Sequence, residues 1–408
     1  MLPRLRHNLD FMPSPVKDKP GLVIRDPFHY SDATLIVPPG LIACLEFFDG
    51  QHSDLDLREF LVRLTGDLQV GEIERHLIDA LSNAGFLEDE SFLQRKDEVE
   101  RAFAGALIRE AVHAGTGYPE EPSELAQTLR DYMTGPAPNR NGRVIGIAAP
   151  HVSPFGGPET YRAAYAALTS DDAERTFVIL GTSHYGEPDR FGLTRKPFAT
   201  PFGEAIPDIK LIDGLTRSAE GSIAMEDYCH AVEHSIEFQV LFLQHLFGPR
   251  IRIVPILCGA YAESLLRGGL PEKNDRVARM LGALGDMAAR EGDRLLWVLG
   301  VDMAHMGRRY GDSFDAIAGQ DEMENVARRD AFRIGCIEAG DAHRFWDSVQ
   351  ENHDDLKWCG SAPIYTFLRA LPQARASLLH YQQWNIDEQS VVSFAGLKFH
   401  SSGPPLGR

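Results

Sequence analysis

Three apolar runs in this chain each end on a histidine or an aspartate, and that arrangement limits the folds it can adopt. Val144-Ile-Gly-Ile-Ala-Ala149 runs into Pro150-His151, Thr176-Phe-Val-Ile-Leu-Gly181 into Thr182-Ser183-His184, and Leu295-Leu-Trp-Val-Leu-Gly-Val301 into Asp302-Met-Ala-His305. Short continuous apolar runs of this kind read as strands buried on both faces. Between the first two, Pro158 to Leu168 carries Tyr161, Tyr165 and Leu168 at helical spacing, so 144–181 forms one βαβ unit. Right-handed crossover makes its strands parallel and brings His151 and His184 to one edge, where open α/β sheets bind ligands. The expected fold class is therefore α/β, a mostly parallel or mixed sheet flanked by helices.

A chain of 408 residues exceeds one ordinary core and is expected to hold two domains. Residues 1–20, rich in proline and charge, read as a flexible tail. Residues 21–95 read as a small α+β domain: a short strand at Thr34-Leu-Ile-Val, helical periodicity over Gly40 to Phe48, Leu55 to Leu64 and Val70 to Ala84, a stop at Gly85, and a β wing from Phe86-Leu87. Residues 96–140 read as helical connection and linker, ending in Gly135-Pro-Ala-Pro-Asn-Arg-Asn-Gly142, and 141–408 as the second domain. There, Ile209 to Ala219, Tyr228 to Phe247 and Asp275 to Arg290 read as helices and Ile251 to Leu257 as a strand. A helix from Ser361, its expected N-cap, to Leu371 precedes a closing strand pair, Ala376 to Trp384 and Val391 to Phe399, on a mixed edge.

A formal charge of −18 argues against nucleic acid and against an anionic membrane surface as partners. Between Leu41 and Glu90 stand twelve Asp or Glu against three Arg and no Lys, so the first domain suits a peptide, a protein or its own second domain better than DNA. No uncharged run reaches membrane-spanning length, and a cytoplasmic location is expected. Five scattered cysteines without a C-x-x-C pair indicate neither a disulfide framework nor a zinc ribbon.

Two resemblances follow. The element order of 21–95, with its ending Leu-Ser-Asn-Ala-Gly-Phe-Leu, resembles the winged-helix-like PqqD domains of peptide-modifying systems. Ala149-Pro-His151, Gly181-Thr-Ser-His184, Thr200-Pro-Phe-Gly203, Glu233-His-Ser-Ile-Glu237, Asp302-Met-Ala-His305 and Cys359-Gly resemble, in order and spacing, the motifs of the MEMO family, including the protein B members of AmmeMemoRadiSam systems. That resemblance implies a fold similar to the class III extradiol dioxygenases, which use non-haem Fe(II), and a metal site of His151, His184 and Cys359. Asp302 and His305 would lie close by, either supporting the ligands from behind or serving as acid/base groups, with Glu233 and His234 as catalytic residues of the cleft wall, and a radical-SAM protein as partner.

The residues agree with that implication on physical grounds. Two imidazoles and one anionic ligand leave open metal positions suited to Fe(II), and a thiolate in place of a carboxylate brings copper and zinc into competition. Taken singly, His151 or His184 is a loop-capping histidine, Cys359 a small buried residue, Asp302 a turn cap and His305 a structural histidine. Arg308 and Arg309 either pair with local carboxylates or attract an anionic substrate. His230-Ala-Val-Glu233-His234 also spells the H-x-x-E-H helix motif of inverted zinc peptidases. Three functions stand against one another: a metalloprotein with redox or dioxygenase-like chemistry on a small-molecule or peptide-borne substrate, a non-catalytic peptide-binding module, and a zinc hydrolase built on His230 and His234.

Overall fold

The computed structural model describes residues 1–14, 16, 18–136 and 143–401, so the linker expected over 135–142 lies, from 137 on, outside the described residues. The chain divides into two compact units, Met1–Gly105 and Ala106–Arg408.

The first unit opens with an antiparallel sheet of β1 (Asp10–Pro13), β2 (Leu22–Arg25) and β3 (Thr34–Val37). A 3-10 turn over Pro39–Phe47 leads into α1 (Asp54–Thr65), α2 (Gly71–Asn83) and α3 (Glu90–Gly105). Ser53 and Asp56 form a reciprocal capping box that starts α1, and Gly66 ends it in the left-handed region. Leu57, Leu61, Leu77 and Leu81 face a common core with Cys44, Phe48 and Phe86.

Three expectations about this unit are corrected. The tail assigned to 1–20 is largely built in: Leu2 and Leu9 enter the core, and buried Arg6 makes a two-pronged pair with buried Asp26, both contacts at 2.9 Å. The charge of Arg6 reflects pairing, not solvation. The expected β wing reduces to one antiparallel bridge, Leu5 with Leu87. Asp89 accepts the Phe92 amide at 2.8 Å and starts α3 at once, which leaves no length for a wing. The unit also ends at Gly105, because α3 runs continuously across the boundary placed at residue 95.

The second unit has α4 (Pro122–Met133), β4 (Val144–Ala149), α5 (Pro158–Tyr165), β5 (Thr176–Thr182), α6 (Glu237–Phe247), β6 (Arg252–Cys258), α7 (Asp275–Glu291), β7 (Leu295–Gly300), α8 (Glu322–Glu338), α9 (Ser361–Ala370), β8 (Ala374–Asp387) and β9 (Ser390–Ser401) as its main elements. The sheet order is β9-β4-β7-β5-β6, with β4, β7, β5 and β6 mutually parallel and β9 antiparallel to β4. β8 pairs antiparallel with β9, so the sheet is mixed, as the closing strand pair leads one to expect. Along β5, Phe177 and Ile179 join the core under α5 and α6, while Val178 and Leu180 join the core under α7 and α9. Burial on both faces is the physical reason these runs are continuously apolar.

Register aligns the strand ends. Gly300 sits opposite Ala149 on one side and Gly181 on the other, so the residues two or three positions later leave the sheet at one level. Those glycines also admit a crossing segment: a Cβ at Gly300 would lie 2.1 Å from the Ser235 carbonyl oxygen, and one at Gly181 would lie 2.5 Å from Ser235 Oγ. Gly300→Ala is therefore expected to displace the 233–236 segment and cost about 3 kcal/mol, the upper range for overpacking, as read by urea denaturation. No helix among the described residues is long and apolar enough to cross a membrane.

Candidate metal centre

His151, His184 and His234 converge above the strand ends, and their ligand atoms lie within 4.8 Å of one another. Each ring has one nitrogen committed. His151 Nδ1 donates to the Gly300 carbonyl at 2.9 Å. His184 Nδ1 lies 3.0 and 3.1 Å from the two oxygens of Glu233, and His234 Nδ1 lies 3.2 Å from Glu233 Oε1. In a neutral ring an acceptor on Nδ1 places the proton there and leaves the lone pair on Nε2, the arrangement in which outer groups orient metal-binding imidazoles. The His184 and His234 rings stack at 5.1 Å, and His151 stands nearly perpendicular to both, at 5.0 and 5.2 Å.

Cys359, just before α9, lies beside His151. Its Sγ lies 3.2 Å from His151 Nε2 and 3.8 Å from the Asp302 carbonyl oxygen. Burial alone would raise the thiol pKa, but His151 and His184 outweigh it and hold the thiol below its ordinary value. Burial acts on Glu233 in the same upward sense and is overcome by the His184 and His234 imidazoles, which leave the carboxylate firmly ionised. The helix-start arrangement differs in detail from expectation: Gly360 is the N-cap of α9 and Ser361 its first residue, with no side-chain cap.

Asp302 accepts the His151 amide at 2.9 Å through Oδ1, and its Oδ2 lies 3.4 Å from His151 Nε2. Burial pushes its pKa up to about 6. His305 Nδ1 donates to the carbonyls of Met303, at 2.9 Å, and Lys357, at 3.1 Å, and burial lowers its pKa. Arg308 pairs with Asp315 at 2.7 Å, and Arg309 reaches Asp387 at 4.0 Å, so both arginines have local carboxylates.

The H-x-x-E-H reading fails on geometry. The helix expected over Tyr228 to Phe247 is broken: one turn spans Cys229–Val232, Glu233 is extended at φ −81° and ψ 138°, and α6 begins at Glu237. The Glu233 carboxylate accepts the amides of His184, His234 and Ser235 at 2.9, 2.9 and 3.3 Å, giving the backbone an alternative to helix. His230 and His234 therefore share no helix face. His230 is buried, with Nε2 on the Gly192 carbonyl at 3.1 Å, whereas His234, expected as a cleft-wall acid/base group, stands as the third imidazole of the cluster.

Three functional residues escape a reading of the sequence. Buried Arg109 donates to the carbonyls of His230 at 2.7 Å and Glu233 at 2.8 Å and pairs with buried Glu237. Tyr118 also donates to Glu237, and His113 packs its ring 5.6 Å from that of His234. All three lie in the stretch read as helical connection; an arginine within the apolar Ala106-Leu-Ile-Arg109 run is the one signal available.

Comparison with known proteins matches residues 109–398 to the model of the Memo-like protein family. A MEMO1 family protein of Aquifex aeolicus is 27% identical across 98% of this chain and 100% of its own length. One of Pyrococcus furiosus is 31% identical across 67% of this chain and 92% of its own, and one of Methanosarcina acetivorans 26% across 71% and 98%. With a family match over most of its length and the histidine cluster at the sheet edge inside that match, the chain belongs to the Memo-like protein family.

Proposed function

We propose that this protein is a metalloprotein whose ion is held by His151, His184, His234 and Cys359, and that it carries out redox or dioxygenase-like chemistry on a small-molecule or peptide-borne substrate. The observation that carries the reading is the set of three imidazoles whose ligand atoms lie within 4.8 Å of one another, with Nδ1 of His151 on a carbonyl, Nδ1 of His184 on the Glu233 carboxylate and Nδ1 of His234 3.2 Å from that same carboxylate, beside a thiol sulfur. Such a donor set fits Fe(II), copper or zinc. Fe(II) is the proposed occupant, and when bound it would supply Lewis acidity and one-electron chemistry with dioxygen.

The chain's own groups have separable tasks in this scheme. Glu233 orients two imidazoles at once and balances their charge. His305, its Nδ1 tied to two carbonyls, keeps Nε2 available to take or give a substrate proton, and Asp302, with a pKa near 6, can share that proton near neutrality. The likeness to class III extradiol dioxygenases, a cytoplasmic setting that keeps the five free cysteines reduced, and a radical-SAM protein as partner belong to the same proposal.

Protein purified without oxygen is expected to hold about one equivalent of iron or copper per chain, with His151→Ala removing it. Fe(II)-loaded protein is then expected to consume oxygen with a chelating substrate. Metal content unchanged by His151→Ala defeats the site assignment. Stoichiometric metal without oxygen consumption across a panel of catechols and modified peptides defeats the dioxygenase-like chemistry and leaves a binding module.

A further inference from the structure

Asp330 lies in the middle of α8 and is fully buried. A lone carboxylate in a protein interior is costly unless donors surround it. Here three do. Oδ1 accepts the Trp358 indole N–H at 2.7 Å, and Oδ2 accepts the Tyr381 hydroxyl at 2.8 Å and the Ser393 hydroxyl at 2.6 Å. Indole nitrogen has no acceptor role, and Ser393 Oγ accepts the Ala304 amide at 2.9 Å while the Tyr381 hydroxyl oxygen accepts the Gln383 side-chain amide at 3.2 Å, which leaves both hydroxyl hydrogens for Asp330.

These partners lead to both site-bearing loops. Trp358 is the residue before Cys359. Ser393 carries the other loop: its carbonyl accepts the Met303 amide at 2.8 Å, and its amide donates to the Ala304 carbonyl at 2.9 Å, so the Asp302–His305 turn is strapped to it. The loops also meet directly, Gly360 N–H on the Asp302 carbonyl at 3.1 Å and His305 N–H on the Leu356 carbonyl at 2.9 Å, but those are backbone contacts that could slide together. The carboxylate behind them fixes the pair to the scaffold. Arg333, one turn along α8 and buried, lays its guanidinium 5.1 Å from the Trp358 ring centre and closes the back of the arrangement.

We infer that Asp330 is a positioning residue, a buried anchor that sets Cys359 and the Asp302–His305 turn in register with each other through Trp358 and Ser393. An asparagine has the same shape but one acceptor oxygen, and its amide would point hydrogens at a donor. It cannot accept from all three partners. The inference rests on the metal-centre proposal only for its second readout below.

The test uses the full chain and two readouts. Cys359 is the partly exposed cysteine and Cys44, Cys229, Cys258 and Cys336 are buried, so iodoacetamide labelling of metal-free protein, followed by mass spectrometry, reports the placement of that one sulfur. Asp330→Asn, and the milder Trp358→Phe that removes only the indole donor, are each expected to change the Cys359 labelling rate about tenfold and to weaken Co(II) binding by the 10–100-fold typical of lost outer-sphere partners. Val326→Ala, one turn away on α8 and equally buried, removes core packing without touching the anchor and should leave the labelling rate within twofold of wild type. Unchanged labelling in both anchor variants overturns the inference, as does an equal change in Val326→Ala. If wild type binds no Co(II) while Asp330→Asn and Trp358→Phe still shift labelling, the anchor stands and the metal proposal falls.

Discussion

Replacing His234 with alanine is expected to weaken metal binding by roughly 100-fold or more, above the 10–100-fold cost of losing an outer partner, while His230→Ala leaves metal content per folded chain unchanged. Both histidines belong to the same five-residue motif, and on an unbroken helix they would act together. The structure separates them. His234 offers its free nitrogen to the point shared with His151 and His184, and His230 spends Nε2 on the Gly192 carbonyl inside the core. His230→Ala should cost stability through the cavity it leaves, so metal must be measured against folded protein, by elemental analysis after gel filtration. Loss of metal in His230→Ala with retention in His234→Ala would reverse the assignment and restore the zinc hydrolase.

What a reader can extract from the sequence here follows the range of the forces involved. The strand ends were legible because burial on both faces writes an uninterrupted apolar run into the text, and a polar residue at its end needs an exit from the sheet. Convergence of His151 and His184 followed from parallel pairing alone. Local periodicity could not show the break at Glu233, because apolar spacing continues through Val232 and Ile236 and only the carboxylate's capture of three amides stops the helix. Pairings between residues far apart are silent for the same reason: Asp330 meets Ser393 across 63 positions and Arg109 meets Glu237 across 128. The first unit misled in a related way, since Arg6 looked like a solvated charge until Asp26 was seen to enclose it.

Arg109→Leu is expected to destabilise the second unit by about 3–5 kcal/mol, the range for stranding one member of a buried ion pair. Arg109 and Glu237 are both fully enclosed, and removing the guanidinium leaves Glu237 with only the Tyr118 hydroxyl and the His113 amide as donors and no opposite charge. It also frees the carbonyls of His230 and Glu233, both now buried without their former partner. The four tryptophans, Trp297, Trp346, Trp358 and Trp384, all lie in this unit, so intrinsic fluorescence in urea reports its unfolding alone. Arg109→Lys should lose less, because a charge remains while the fork that reaches several acceptors does not. Glu237→Leu in the Arg109→Leu background should recover part of the loss, since an apolar pair strands no ion. A double variant as unstable as the sum of the singles would show that the two side chains do not act as a pair. Because the same guanidinium holds the carbonyl of Glu233, Arg109→Leu should also loosen His234, and metal affinity should fall even in the fraction that stays folded.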